Sequence, residues 1–286
     1  MYRFILVGSE GCGKNTLVTQ LLLDLGKITA YQKENFLKRD HWVWNYISIR
    51  GEERCEDAYI TLPLAFQDKK YEIVDTREPI QAVMRYQDQM TGVFVVSVIP
   101  LEFEQAYRRG KMKEHLVALR ASGIQHLILV LNKMDAIEWK EPDVGLVYNF
   151  ITKLKFEKWS VVKMSALEGV NKFLEHLTPL TEEPNLPQTE EVERDSIWIK
   201  ATFLHITRTI TLGYRCMCHI RDKVYPAEVD HIKNKIIVRK DDCVLIRLKL
   251  NHNVKVYPTQ RVLLRDGDFT LGFGLVKVKI SAQTST

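Results

Sequence analysis

A glycine-rich turn near the start of the chain constrains its fold more than any other feature. Residues 8–14 read GSEGCGK, follow the apolar run at residues 4–7 and lead into a helical pattern from Asn15. Glycines in such a turn let successive backbone N–H groups converge on phosphate oxygens, and the lysine at its end reaches the outer phosphates. The next position is usually Ser or Thr, whose hydroxyl holds Mg²⁺, but the amide of Asn15 is a bulkier and poorer ligand. The segment predicts a phosphate-binding loop with a weakened metal ligand.

A second motif, Asn132-Lys133-Met134-Asp135, directly follows the apolar strand pattern at residues 126–131. The aspartate carboxylate can accept two hydrogen bonds, from the N1–H and the exocyclic amine of guanine, which adenine does not offer. Taken alone, the tetrapeptide is as typical of a helix cap, but its place after a phosphate-binding loop favours a guanine reader. We expect Asn132 to tie this loop to the phosphate loop, and the Lys133 stem to lie over the base.

A third segment, Ser165-Ala166-Leu167, follows the strand pattern at residues 161–164. Loops of this kind in GTP-binding domains donate a backbone N–H to the guanine O6, although Ser165 alone could simply cap a helix. Order and spacing complete the set of three motifs. The residues predicted to contact the nucleotide are Gly8, Gly11, Cys12, Gly13, Lys14, Asn15, Thr16, Asn132, Lys133, Asp135, Ser165, Ala166 and Leu167.

With these motifs in place, the chain resembles a translational GTPase of the elongation factor Tu and eukaryotic elongation factor 1-alpha family. The likeness includes residues 90–92 (MTG, family MITG) and residues 113–115 (KEH, family REH). It returns at residues 261–266 and 270–276, which are similar to the paired closing strands of the family's third domain. The resemblance implies bound GTP or GDP, an α/β P-loop GTPase domain with a mostly parallel, doubly wound sheet, and a small antiparallel β-barrel after it.

The chain between these motifs is shorter than the family pattern requires. About 90 residues follow the predicted nucleotide domain, which is room for one barrel, so we expect the family's second domain to be missing. An acidic stretch with two prolines marks the junction and is typical of an extended linker. We predict a GTP-binding domain over residues 1–180, an acidic linker over 181–194, and a β-barrel resembling domain III of elongation factor Tu over 195–286.

The segment that carries catalysis in the family differs most. The family pattern D-x-P-G-H, whose aspartate holds Mg²⁺ through water, is replaced by DTREP over residues 75–79. Glu78 replaces the glycine that senses the γ-phosphate, and Pro79 replaces the histidine that positions the attacking water. Together with Asn15, these changes predict weakened Mg²⁺ binding and slow or absent GTP hydrolysis, and they leave the catalytic residue unknown.

The resemblance also implies a threonine that closes over Mg²⁺ and the γ-phosphate. Thr61 is the first candidate, but an alignment on Phe66 places Ala58 there instead. Asp75 and Thr61 are therefore the expected metal residues. Arg77 is the one candidate for a compensating group, since an arginine in the same chain can neutralise the γ-phosphate as an arginine finger does.

Charge is divided unevenly between the two predicted domains. From Arg194 onward, 17 Lys and Arg stand against 8 Asp and Glu, whereas the preceding residues hold 24 against 28. The basic excess either protects sheet edges and aids solubility or forms a surface for an RNA backbone. In the second interpretation, the resemblance implies tRNA or other structured RNA as the partner of this barrel, and both interpretations stay open. The cations whose reversal would separate the two interpretations are Lys233, Lys235, Arg239 and Lys240.

Composition sets the remaining limits. The apolar runs are too short for a membrane span and the first residues already form a strand pattern, so we expect no signal peptide, no membrane partner and a cytoplasmic location. Five scattered cysteines without a C-x-x-C pair predict reduced thiols rather than a zinc site.

Three functions follow from these expectations. The first is a GTP-binding, translation-elongation-factor-like protein, slow or inactive in hydrolysis, that makes nucleotide-dependent contacts with RNA, the ribosome or translation factors. The second is an active GTPase with an altered mechanism that uses Arg77. The third is an interaction or structural protein with a relic GTPase fold. Delivery of aminoacyl-tRNA is disfavoured, because the family binds the aminoacyl end against the second domain.

Overall fold

The structure is a computed structural model that describes residues 2–37, 59–66, 69–76, 79–86, 90–177, 191–204, 209–221 and 223–277. Contacts divide the chain into two compact units, one drawn mostly from residues 1–184 and the other mostly from residues 185–286. Each unit has a hydrophobic core of its own. No helix in the described ranges is both long enough and apolar enough to cross a membrane.

The first unit alternates strands and helices. Its strands are β1 (Tyr2–Gly8), β2 (Tyr59–Phe66), β3 (Lys69–Thr76), β4 (Thr91–Ser97), β5 (His126–Asn132) and β6 (Lys158–Lys163). Its helices are α1 (Lys14–Asp24), α2 (Ala30–Leu37), α3 (Pro79–Tyr86), α4 (Pro100–Arg108), α5 (Met112–Ala121), α6 (Gly145–Leu154) and α7 (Asn171–Leu177), with a 3-10 helix over Met134–Ile137.

The strands of this unit form one sheet in the order β2-β3-β1-β4-β5-β6. β2 is antiparallel to β3, and all other neighbours are parallel. Every residue of β4 is buried, as a parallel strand covered on both faces should be. The predicted mostly parallel α/β sheet is therefore confirmed. Ligands of such sheets bind beyond the carboxyl ends of the strands, the edge at which β1, β3, β4 and β5 all end.

The second unit is a closed barrel whose strands pair in the order β10-β7-β12-β11-β8-β9. They are β7 (Val192–Phe203), β8 (Arg215–Ile220), β9 (Lys223–Ile232), β10 (Cys243–Val256), β11 (Arg261–Asp266) and β12 (Phe269–Val276). All neighbouring pairs are antiparallel. The predicted antiparallel β-barrel is confirmed. Its first strand begins at Val192, inside the range predicted as linker, while residues 181–190 lie outside the described residues.

Alternation along the strands fills the barrel. Cys216 and Cys218 point inward and are buried, whereas Met217 between them is partly exposed. Burial raises the pKa of the Cys216 thiol to about 12 and holds that of Cys218 well above its ordinary value. Both thiols are free, in line with the expectation of reduced, structural cysteines.

Candidate nucleotide-binding site

The phosphate loop joins β1 to α1 in a backbone conformation that requires glycine at two positions. Gly13 has φ 95°, in the left-handed region, and a Cβ there would lie 2.2 Å from Nδ2 of Asn132. At Gly8 a Cβ would lie 2.4 Å from the carbonyl oxygen of Val95. The loop is therefore packed tightly against β4 and against Asn132 at the end of β5.

Lys14 folds back over the loop that precedes it. Its Nζ donates hydrogen bonds to the carbonyl oxygens of Gly8, at 2.8 Å, and Ser9, at 3.2 Å. These contacts hold the ammonium at the mouth of the phosphate loop. The neighbouring thiol of Cys12 is buried, which raises its pKa, and the charge of Lys14 only partly opposes that effect.

Asn132 links the three predicted nucleotide loops through one side chain. Its Nδ2 donates to the carbonyl oxygen of Cys12 at 2.9 Å, and its Oδ1 accepts the backbone N–H of Ala166 at 2.9 Å. The residue is 1% exposed, so both hydrogen bonds are shielded from water. The structure therefore brings together the phosphate loop, the N-K-x-D segment and the loop after β6.

Asp135 lies in the short 3-10 helix that follows β5. Its Oδ1 is buried and has no hydrogen-bond partner within the described part of the chain, and the Oγ of Ser165 is in the same state. A buried acceptor without a donor costs free energy, and native structures contain few of them. An unsatisfied carboxylate oxygen at this edge of the sheet fits a ligand that brings its own N–H donors.

Lys133 has a carboxylate partner that the sequence interpretation missed. Its Nζ lies 2.7 Å from Oε2 of Glu102, in the first turn of α4, and Ser97 Oγ donates to the same oxygen at 2.5 Å. Burial alone would raise the pKa of Glu102, but the bonds from Lys133 and Ser97 outweigh it and hold that pKa below its usual range. The position of Glu102 in the chain could have indicated this contact. Glu102 follows β4, whose carboxyl end lies beside that of β5.

A cavity of about 820 Å³ lies over the phosphate loop. Its lining includes Lys14, Asn15 and Thr16 from the loop and Asp75 and Thr76 from the end of β3. Pro79, at the start of α3, lines it as well. The cavity is also lined by Arg109, Gly110 and Lys111, which join α4 to α5 and were absent from the sequence interpretation, and by His115 of α5.

Comparison with known proteins identifies the relatives of this chain. No protein-family model matches the sequence. Elongation factor 1-alpha of Thermofilum pendens is 26% identical over 189 residues, and that of Ignicoccus hospitalis is 30% identical over 190 residues. Each match covers 58% of this chain and 43% of the relative, so the chain spans under half the length of these relatives. The chain is related to the translational GTPases.

A solved structure agrees with this relationship at the level of fold. The GTPase-like domain of Ski7 from S. cerevisiae, determined with bound GTP, matches with a TM-score of 0.73 over 97% of both chains. A second structure of that domain, with GDP and inorganic phosphate, gives a TM-score of 0.74. The identity is 11% in both cases, so the likeness shows the fold.

The two predicted metal residues of this chain differ in their position relative to the cavity. Asp75 is buried and lines the cavity over the phosphate loop. Thr61 lies inside β2, opposite Val74 of β3, and is not among the residues that line that cavity. Arg77, Glu78 and Ala58 lie outside the described residues. Ser165 and Ala166 are buried, whereas the side chain of Leu167 is largely exposed.

Proposed function

We propose that this chain is a GTP-binding protein of the translation-factor type that hydrolyses GTP slowly or not at all. The observation that carries the proposal is the buried Oδ1 of Asp135, which has no donor within the described residues. The N1–H and the exocyclic amine of guanine are two adjacent donors that fit a carboxylate, and adenine presents no such pair. Relationship to the translational GTPases supports the same nucleotide.

The surrounding side chains suit this ligand in the proposed complex. The Lys133 stem would cover the base. Because its ammonium is already paired with Glu102, the lysine would lose less side-chain conformational entropy when the nucleotide binds. Asn132 would keep the base-reading loop and the phosphate loop in register, because it bonds to Cys12 and Ala166 at once. The ammonium of Lys14 would turn from the carbonyls of the loop to the phosphates, which are stronger, charged acceptors.

Mg²⁺ binding is proposed to be weaker than in a full phosphate-loop GTPase. Asp75 and Asn15 line the same cavity and are the residues that would hold the ion. An amide oxygen is neutral and bulkier than a hydroxyl, so this donor set fits Mg²⁺ poorly. When bound, the ion neutralises charge on the phosphates.

Slow hydrolysis is proposed from Pro79, another residue that lines the cavity. Pro79 lines it where the resemblance calls for a histidine, and proline has no side-chain group that can orient a water molecule. Arg109 and Lys111 bring positive charge to the same cavity, which favours an anionic ligand whether or not it is hydrolysed. An active GTPase with an altered mechanism is the second candidate, because this positive charge is compatible with hydrolysis as well as with binding.

Two measurements on the full chain test the proposal. Titration with mant-GTP and mant-ATP, with and without Mg²⁺, should show guanine preference and a weak effect of the ion. A single-turnover assay should then show little hydrolysis, and Asn15→Thr combined with Glu78→Gly and Pro79→His should recover part of it. Equal affinity for the two nucleotides contradicts the guanine assignment, whereas rapid turnover by the unmodified chain supports the second candidate.

We also propose partners for this protein. We expect nucleotide-dependent contacts with the ribosome, with translation factors or with RNA, by analogy with relatives named elongation factor 1-alpha. The basic excess of the barrel supports RNA as the partner of that unit, since cations gain affinity by releasing counterions from phosphates. Cytoplasmic location stays a prediction.

A further inference from the structure

A second cavity, of about 670 Å³, lies on the outer side of the barrel wall. We call it the Trp198 pocket. The lining residues that matter here are Trp198, Lys200, His231, Lys233, Cys243 and Lys277. They come from β7, β9 and β10 and from the ends that follow β9 and β12, so residues distant in sequence meet at one place.

The pairing of the strands places these residues in two adjacent rows across the barrel wall. In the first row, Arg247 of β10 lies opposite both Trp198 and His231, and the N–H of Lys277 donates to the Trp198 carbonyl at 2.7 Å. In the second row, Leu245 lies opposite Lys200, and its carbonyl accepts the N–H of Lys233 at 2.9 Å. An aromatic row therefore runs directly beside a row of lysines.

The Trp198 ring is held by its neighbours. His231 meets it edge-on, with ring centroids 5.3 Å apart, and Cζ of Arg247 lies 5.7 Å from the ring centroid. Arg247 in turn donates from Nε to both carboxylate oxygens of Asp230 at 2.9 Å. Because the ring is partly exposed and its orientation is supported from two sides, it forms a preorganised aromatic platform.

The lysines around the platform carry charge that the barrel leaves uncompensated. Lys200, Lys233 and Lys277 are exposed, and no acidic side chain in the described part of the chain lies within ion-pair distance of them. Lys235 differs, since its Nζ lies 2.5 Å from Asp242 Oδ1, and Asp242 also accepts the N–H of Arg239. Three exposed lysines without an ion pair in the described part of the chain therefore lie beside Trp198.

We propose that the Trp198 pocket binds an unpaired nucleotide of a single-stranded nucleic acid. The base stacks on Trp198, and the flanking phosphates lie against Lys200, Lys233 and Lys277. An aromatic plane beside a basic groove is how proteins bind single strands, whereas duplex RNA offers its phosphates but keeps its bases stacked. An acidic peptide is the weaker fit, because the closed barrel has no free strand edge for a peptide backbone to pair with.

This inference rests on the proposed role of the barrel in RNA binding and makes it specific. The test uses the full chain and a fluorescent, non-self-complementary RNA of about twelve nucleotides. Three further probes are the corresponding duplex, an abasic oligomer with the same number of phosphates, and an oligoglutamate peptide. The single strand should bind roughly tenfold or more tightly than the abasic oligomer. Equal binding of the abasic oligomer, or tighter binding of the peptide, overturns the proposal.

Substitutions locate the binding. Trp198→Ala should weaken single-strand binding roughly tenfold, while Trp198→Phe should retain most of it, because stacking needs only an aromatic face. Lys200→Gln and Lys233→Gln should each reduce the slope of log affinity against log salt by about 0.7. Lys223→Gln and Lys255→Gln are matched controls, exposed on the same barrel outside the pocket, and should reduce single-strand affinity and its salt slope less.

A second readout keeps the test informative if a substitution disturbs folding. Cys243 lines the pocket and is exposed, so a maleimide should label it in the unmodified protein and the RNA should protect it. Unchanged labelling at saturating RNA overturns the proposal. Mant-GTP binding is measured on the same sample and does not depend on the Trp198 pocket. Failure of RNA binding at the pocket and failure of the proposed nucleotide function are therefore separate results.

Discussion

The side-chain amide of Asn132 donates a 2.9 Å hydrogen bond to the carbonyl oxygen of Cys12, although 119 residues separate them in the chain. The same side chain accepts the N–H of Ala166. A neutral amide is suited to this position because it can donate and accept at once, whereas a carboxylate could not donate to Cys12. The geometry of the phosphate loop thus depends on a residue at the end of β5.

Asn132→Ala should therefore reduce mant-GTP affinity by about tenfold or more and lower the free energy of unfolding by about 1–3 kcal/mol, since it leaves buried backbone groups without partners. Titration and urea unfolding measure the two effects. Asn149→Ala, at an exposed position on α6, is the matched control and should change neither. Undiminished nucleotide affinity in Asn132→Ala would mean that the three loops do not act as one site.

Asp135→Asn should shift preference from guanine to xanthine nucleotides. Xanthine carries a carbonyl where guanine carries its exocyclic amine, and an amide side chain can donate to that carbonyl. Competition of GTP and XTP against mant-GTP and mant-XTP gives the ratio of affinities for each protein. Asp143→Asn, on the exposed segment before α6, controls for the loss of one negative charge. A parallel loss of both nucleotides in Asp135→Asn would point to misfolding of the 3-10 helix.

Glu102→Gln should weaken GTP binding several-fold, because Lys133 loses the charge that holds its ammonium in place. The control is Glu104→Gln on the same helix, where the side chain is exposed and pairs with Arg108. Since the pKa of Glu102 is lowered, the carboxylate stays ionised at neutral pH and the pairing is lost only as pH falls through that lowered value. Equal effects of the two substitutions would show that the Lys133 contact has no specific role.

The stability of the barrel should fall as pH decreases from about 6.5 toward 4, because His219 is buried in its neutral form. Burial lowers the pKa of His219 to about 4, with the charge of Arg265 acting in the same direction. Between these values the unfolded chain binds a proton that the native barrel does not, which costs at most about 3 kcal/mol. Above about pH 6.5 the contribution of His219 should be constant.

Thermal unfolding of wild type and His219→Leu across this pH range checks the prediction through the slope rather than the absolute stability. The substitution should flatten the acid side of the profile. His231→Gln, at an exposed position of the same barrel, should not flatten it. An unchanged slope in His219→Leu would assign the acid sensitivity to other groups.

Local sequence patterns were sufficient to predict the fold class and the tight turn after β1. The apolar runs at β1 and β5 are strands because continuous burial in a parallel sheet needs uninterrupted apolar residues. Glycines at positions 8 and 13 predict a tight turn, and the backbone there leaves no room for a Cβ. Such features depend on neighbours within a few residues, which a sequence displays directly.

Contacts between distant segments could not be predicted from local patterns, because they depend on how the strands are arranged in the sheet. Glu102 reaches Lys133 because parallel strands β4 and β5 end side by side, and no local pattern connects the two residues. The place of Thr61 is likewise set by pairing, since the antiparallel register of β2 and β3 puts it opposite Val74. Its role as a metal residue stays a prediction, because the direction in which a strand residue points depends on its pairing.

In the barrel, total charge could be predicted from the sequence, but the surroundings of each lysine could not. That this unit is basic can be read from the amino-acid sequence, since charge can be counted along the chain. It could not say which lysines are compensated: Lys235 meets Asp242, whereas Lys200 and Lys233 flank a tryptophan from another strand. Cross-strand register places these side chains together, and register is a property of the closed barrel rather than of any one segment.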